Sequence, residues 1–149
     1  FTSMLALRLL APRGAPSALQ RRLAATFETR HWRRRYRFFA TTGVFAADTD
    51  CSGVALAALW AAGRLTPGDL LAGALQIAAA AAPATLPHPG VPMVYWDDDR
   101  EPGVDRRGHK LDACAAANAV LPLLLALRLP GLTEASRRTL QAAADATLD

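Results

Sequence analysis

The stretch Thr66-Pro67-Gly68-Asp69, set directly before the Ala- and Leu-rich run from Leu70 to Ala84, constrains this chain more than any other. Thr66 can cap a helix, and Pro67 fits the first helical position, where its missing N–H costs nothing. Asp69 then places a carboxylate near the positive helix end. The spacing predicts a helix from Thr66 to about Pro83. Similar Ala/Leu runs recur along the sequence, which is 52% hydrophobic but only 7% aromatic. Neither Ala nor Leu gives up much side-chain freedom in a helix. Period-two alternation and Val/Ile/Thr clusters are scarce, which argues against a sheet. The fold class expected is all-α, and 149 residues suit one domain with a real core.

The remaining helices follow from the same signals. Ser17 caps a first helix through Leu19, Leu23 and Phe27, which is expected to continue through the Arg-rich stretch to about Phe39. Asp48 or Asp50 caps a second, ending at Gly63. Residues 83 to 110 hold five of the ten prolines and read as a long loop, with a short strand-like run from Val91 to Trp96. Asp112 opens a fourth helix through Leu127, and Pro122 inside it cannot donate to the Asn118 carbonyl, which predicts a kink. Thr133 caps a fifth. Short links between amphipathic helices make helical hairpins, the unit of bundles and α/α-barrels alike. Residues 1–16 read as a leftover tag and a flexible lead, and residues 17–149 as one helical domain.

The net charge of +4 is local, because Arg30, Arg33, Arg34, Arg35 and Arg37 alone exceed it. A nucleic-acid binder spreads more positive charge, so no nucleic-acid partner is expected. The Leu70 to Ala84 run is too short to span a bilayer, so no integral membrane segment is expected. Met4 to Leu10 loosely resembles a transit peptide but lacks the order of a secretory signal. A cytoplasmic protein with two reduced, buried thiols, Cys51 and Cys114, is the expectation.

Several candidate sites have plain alternatives. Asp97-Asp98-Asp99-Arg100-Glu101 has the look of a magnesium motif, but Pro102-Gly103 follows at once, so a charged loop is expected and no metal site is assigned. His31, His88 and His109 lack metal-type spacing. No phosphate-cradling glycine loop or serine elbow is present. Asp48 and Asp50 alone would read as helix caps, and the Arg run as a solvated helix face.

The context of the two aspartates adds more. The stretch from Arg35 through Asp48-Thr49-Asp50 to Leu59 places an aromatic-rich segment and a Gly turn before an acidic motif and an Ala/Leu helix. Val94-Tyr95-Trp96-Asp97 and then Asp112 to Leu121 follow, with Asn118 inside. Together these resemble the class II terpene cyclases, a family of α/α-barrels. The resemblance implies acid-initiated cyclisation of a linear isoprenoid, often a diphosphate, with Asp50 as the acid and Asp48 supporting it. Protonating an alkene needs a carboxylic acid that keeps its proton at neutral pH. Burial and a neighbouring carboxylate raise its pKa while a helix N-terminus lowers it. The carbocation that follows needs a dry pocket with π faces, for which Trp32, Tyr36, Phe38, Phe39, Phe45, Trp60, Tyr95 and Trp96 are candidates. Asn118 is expected on the same interior face, where structural hydrogen bonding is its simpler role. Arg33, Arg35 and Arg37 could steer a diphosphate. No cofactor is expected beyond magnesium carried by such a diphosphate. Cys51 stands where the family has a third acidic residue or Thr. The five helices read here are also too few for a whole barrel, so the fold expected is part of an α/α-barrel, completed by a second copy or by further sequence. A shortened, non-catalytic relative that binds a hydrophobic ligand or partner is the alternative.

Overall fold

The computed structural model describes residues 1–11, 17–38, 46–96 and 107–149. Six helices are present among them: α1 (Thr2–Leu10), α2 (Ala18–Ala25), α3 (Thr49–Ala61), α4 (Pro67–Ala78), α5 (Ala113–Leu127) and α6 (Glu134–Leu148). The two short strands β1 (His31–Trp32) and β2 (Arg35–Tyr36) pair antiparallel. The chain is mostly helical, as its composition demands. None of the described helices is long and apolar enough to cross a membrane.

The core is built around α3, whose residues from Cys51 to Leu59 are all buried. It packs against α1, α4, α5 and β2, while α6 covers α4 and α5. Such a helix needs no polar face, which is why its sequence shows little amphipathic pattern. Its C-terminus closes with Gly63 at φ 65°. There Arg64 N–H donates to the Leu59 carbonyl at 2.8 Å and Gly63 N–H to Trp60 at 3.0 Å. This is the pairing of a Schellman turn, with glycine in the left-handed position it favours. The Thr66 capping box with Pro67 forms as the sequence predicts, and Thr133 caps α6.

Two glycines let the helices close on one another. A Cβ at Gly73 of α4 would fall 2.5 Å from a methyl of Leu56. A Cβ at Gly53 of α3 would fall 2.2 Å from the carbonyl oxygen of Asn118 on α5. The second contact has a cause in the sequence. Pro122, four residues on, has no N–H to give that carbonyl, so the oxygen is left to the neighbouring helix. The bare Gly53 backbone is what approaches it.

Three expectations are corrected. Residues 2–10 form a helix rather than a flexible lead, because Met4 and Leu7 bury completely in the core. The first predicted helix stops at Ala25 and is replaced after Arg30 by the hairpin. Arg33 and Arg34 take φ of 52° and 65°, both left-handed, as a two-residue primed turn requires. The geometry is held by an Arg34–Asp69 ion pair and by Arg33 lying 4.6 Å over the Trp32 ring. Finally, Val91–Trp96 makes one isolated bridge, Ala81 to Pro92, instead of a strand.

Gly53→Ala is expected to destabilise the protein by at least about 3 kcal/mol, because backbone rather than a flexible side chain must yield. Gly68→Ala, with only Thr66 Oγ1 at 3.8 Å nearby, should leave stability unchanged or raise it by up to about 1 kcal/mol. Urea unfolding of both variants checks this. Equal midpoints would show that α3 and α5 separate freely.

Candidate functional site

The N-terminal turn of α3 is fixed from three sides. Asp48 N–H donates to the Tyr36 carbonyl at 3.1 Å, and Thr49 N–H to the Val94 carbonyl at 2.9 Å. Thr49 Oγ1 donates to the Met93 carbonyl at 2.9 Å, and Ser52 Oγ accepts from Tyr36 N–H at 2.8 Å. Val94 N–H in turn donates to the Lys110 carbonyl at 2.8 Å, which ties in the approach to α5. Both Thr49 and Ser52 are fully buried, so these polar side chains are worth keeping only because each is satisfied.

This scaffold frames a cavity of about 350 Å³. Asp48, Asp50 and Cys51 of α3 line it, opposite Asp112 and Ala115 at the start of α5. Phe38, Val94, Tyr95 and Lys110 complete the wall. Asp48 rather than Asp50 is the α3 cap, its carboxylate accepting from Cys51 N–H at 2.6 Å. Asp50, two residues on in the first turn, is held by Asn118 of α5, whose Nδ2 donates to Asp50 Oδ1 at 2.6 Å. Asp112 caps α5 by accepting from Cys114 and Ala115 N–H at 3.0 and 3.1 Å.

The contest between burial and helix end is settled for Asp48. Burial pushes its pKa up to about 6, with the Asp50 charge adding to the rise, against the lowering hydrogen bonds from Cys51 and the Phe1 amino group. The same burial, together with the Asp48 charge, drives the Cys51 thiol far up, so it stays protonated and donates to Asp48. Burial and Asp48 also raise Tyr95, which remains a neutral phenol. The cavity therefore holds a carboxyl that exchanges a proton near neutral pH beside a second, amide-anchored carboxyl. That combination suits general acid–base chemistry.

Of the residues expected from sequence, Phe38, Asp48, Asp50, Tyr95 and Asn118 come together here. Others assemble elsewhere. Arg35, only 3% exposed, lies 5.3 Å from the Trp32 ring and 4.5 Å from the Trp96 ring. Its Nε donates to Gln76 Oε1 at 2.8 Å, and Trp96 Nε1 donates to the Gln76 carbonyl at 2.5 Å. This Trp–Arg–Trp stack fastens the hairpin and the 91–96 segment to α4. Tyr36 is fully buried with its ring 5.2 Å from His31. Arg37 is also buried, and its pKa is lowered by that burial. Trp60 sits near the far end of α3, about 15 Å along the helix from Asp50. Neither Trp32, Tyr36, Trp60 nor Trp96, nor Arg33, Arg35 or Arg37, lines the cavity. Phe39, Phe45 and the acidic run 97–101 lie outside the described residues.

Sequence reading did not assign Val94, Lys110, Asp112 and Ala115 to the site. For Asp112 the capping signal was visible, but a cap points to a helix start and not to a neighbour. Lys110 gave no signal. Among the described residues no group of three or more His, Cys, Asp or Glu could hold a metal. Cys114 is exposed on α5 rather than buried, and both thiols are free. The chain matches no family model, no curated protein and no solved structure.

Between about pH 4 and 6 the folded protein binds a proton at Asp48 that the unfolded chain has already released. Folding stability from this group therefore falls as pH rises through that window, by up to about 3 kcal/mol. Asp48→Asn keeps a good cap without the charge. Urea unfolding from pH 4 to 7.5 should show the wild type losing stability relative to Asp48→Asn. Parallel curves would mean that Asp48 titrates at its ordinary value.

Proposed function

We propose that this cavity performs acid-initiated cyclisation of a linear isoprenoid, the chemistry of class II terpene cyclases. The observation that carries the reading is the Asp50–Asn118 hydrogen bond across α3 and α5, with buried Asp48 beside it and Phe38, Val94, Tyr95 and Ala115 around it. With Oδ1 occupied by the amide, Oδ2 of Asp50 is the oxygen from which a proton would pass to the substrate in this reading. Transfer to one carbon of a substrate alkene breaks the O–H bond, forms a C–H bond and leaves a carboxylate facing a carbocation on the other carbon. The next double bond supplies its electron pair to close a ring. The final cation gives up a proton that returns to the Asp50 carboxylate, which restores the acid, with Asp48 beside it as a relay. The π faces of Phe38 and Tyr95 favour the cation over water.

The helical hairpins form part of an α/α-barrel in this reading, with a second copy of the chain closing it. Magnesium enters only with a diphosphate on the substrate, which Lys110 at the cavity wall is placed to meet better than the Arg residues of the hairpin. One observation favours a second reading, a non-catalytic binder of hydrophobic ligands. Beside the Cys51 backbone N–H, the side chain donating to Asp48 is the weak Cys51 thiol, which tunes an acid poorly.

Incubation with linear isoprenyl diphosphates tests the proposal, alongside light scattering for mass. The wild type should cyclise substrate as a dimer. Asp50→Asn should remain folded by circular dichroism and lose at least about 100-fold in rate. Asn118→Ala should lose a smaller factor, about tenfold, because it orients the acid without carrying the proton. A folded wild type that turns over none of these substrates would sink the cyclase reading in favour of the binder.

A further inference from the structure

Arg35 is only 3% exposed, yet it does not line the acid cavity. Its guanidinium lies against the Trp32 and Trp96 rings, 5.3 and 4.5 Å from their centres. Arg35 Nε donates to Gln76 Oε1, while the Gln76 carbonyl accepts from the Trp96 indole. Arg35, Gln76 and Trp96 thus tie β2 to the 93–96 segment across α4. Each of the two tied pieces supports the acid one or two residues from the tie. Tyr36, next to Arg35, accepts Asp48 N–H at its carbonyl and donates its own N–H to Ser52. Tyr95, next to Trp96, walls the cavity with Val94, whose carbonyl takes Thr49 N–H. Met93 accepts from the Thr49 hydroxyl and donates its N–H to the Ala80 carbonyl at 2.8 Å. A slip of this segment against β2 would therefore move Asp48, Thr49 and Tyr95 relative to one another.

We propose that Arg35 is a positioning residue for this cavity, locking β2 and the 93–96 segment at one spacing so that Asp48, Asp50 and Tyr95 keep their places. The inference rests on the acid reading for which cavity does the chemistry. Arginine suits the role because its guanidinium is planar and weakly hydrated, so it stacks on rings while directing an N–H at Gln76. A lysine ammonium has no plane to lay on the rings and holds its water more tightly. The charges that bear most on Asp48 are those of Asp50 and the Phe1 amino group. Arg35 therefore acts through placement and not through its own field.

Arg35→Lys separates the two, since it keeps the charge and loses the plane. Gln76→Ala, at a half-buried position of α4, loosens the same tie more gently. The readout is the pH at which the Asp48 carboxyl titrates in the folded protein, followed by carbon NMR without substrate. Once its frame slips, the carboxyl regains water. Its titration should then fall from about 6 by at least about one pH unit in Arg35→Lys, and by less in Gln76→Ala. Leu140→Ala serves as the control, because Leu140 is buried in α6 and absent from the cavity wall. It lowers stability by leaving a void and should titrate as the wild type does. Wild-type titration in both Arg35→Lys and Gln76→Ala overturns the proposal. An equal fall in Leu140→Ala overturns it too, marking the shift as general loosening. Should Arg35→Lys fail to fold, Gln76→Ala decides alone. A shift as stated in a protein that turns over no isoprenoid would sink the cyclase reading and leave the positioning role of Arg35 standing.

Discussion

The close approach of α3 and α5 at Gly53 and Asn118 is the constraint on which the rest depends. A side chain at position 53 would push the helices apart by more than packing could absorb, since the facing atoms are backbone. With glycine there, the Asn118 side chain reaches Asp50, three residues before Gly53, at hydrogen-bond distance. One packing contact thereby sets both the core spacing and the geometry of the candidate acid. Pro122 takes part from a distance, because a proline that withholds its N–H frees the carbonyl that meets Gly53.

Around that contact the protein uses buried polar groups as fasteners. Thr49, Ser52, Asp48 and the backbone of residues 93 and 94 bond to one another at the α3 N-terminus. Each bond adds little net stability, but a buried donor or acceptor left without a partner would cost more than the bond contributes. The network therefore specifies one arrangement of three chain segments. The Arg35 stack between Trp32 and Trp96 acts likewise, trading the hydration of a guanidinium for two ring faces and the Gln76 amide.

The electrostatics of the cavity follow from depth. Helix N-termini draw negative charge, and two of them, capped by Asp48 and Asp112, meet at this cavity. Desolvation outweighs the helix end at Asp48 because the carboxyl gains only the Cys51 donors in return for lost water. Neighbouring groups then inherit the effect: the negative charge beside them keeps Cys51 and Tyr95 protonated. A carboxyl whose proton is held to about pH 6, beside a phenyl ring, a phenol and further charged groups, is set by this burial and not by the helix end.

The sequence by itself determined the helices that rest on local chemistry. The starts of α3, α4, α5 and α6 and the ends of α3 and α5 were legible because caps, Pro67, Gly63 and Ala/Leu runs act within a few residues of themselves, whereas α4 stops at Ala78, five residues short of the predicted Pro83. It also marked Asp48, Asp50, Tyr95 and Asn118, though by their resemblance to a family and not by any rule of spacing. Tertiary structure decided the rest. Residues 2–10 are helical because Met4 and Leu7 find a core, and no local signal reveals a partner that lies far along the chain. The Arg-rich stretch leaves the helix because Asp69 and Trp96, distant in sequence, hold its arginines in a hairpin. Lys110 and Ala115 join the cavity only because Gly53 lets α5 come close. Capping and propensity act over one turn of backbone, whereas burial, and every pKa that follows from it, depends on which surfaces meet.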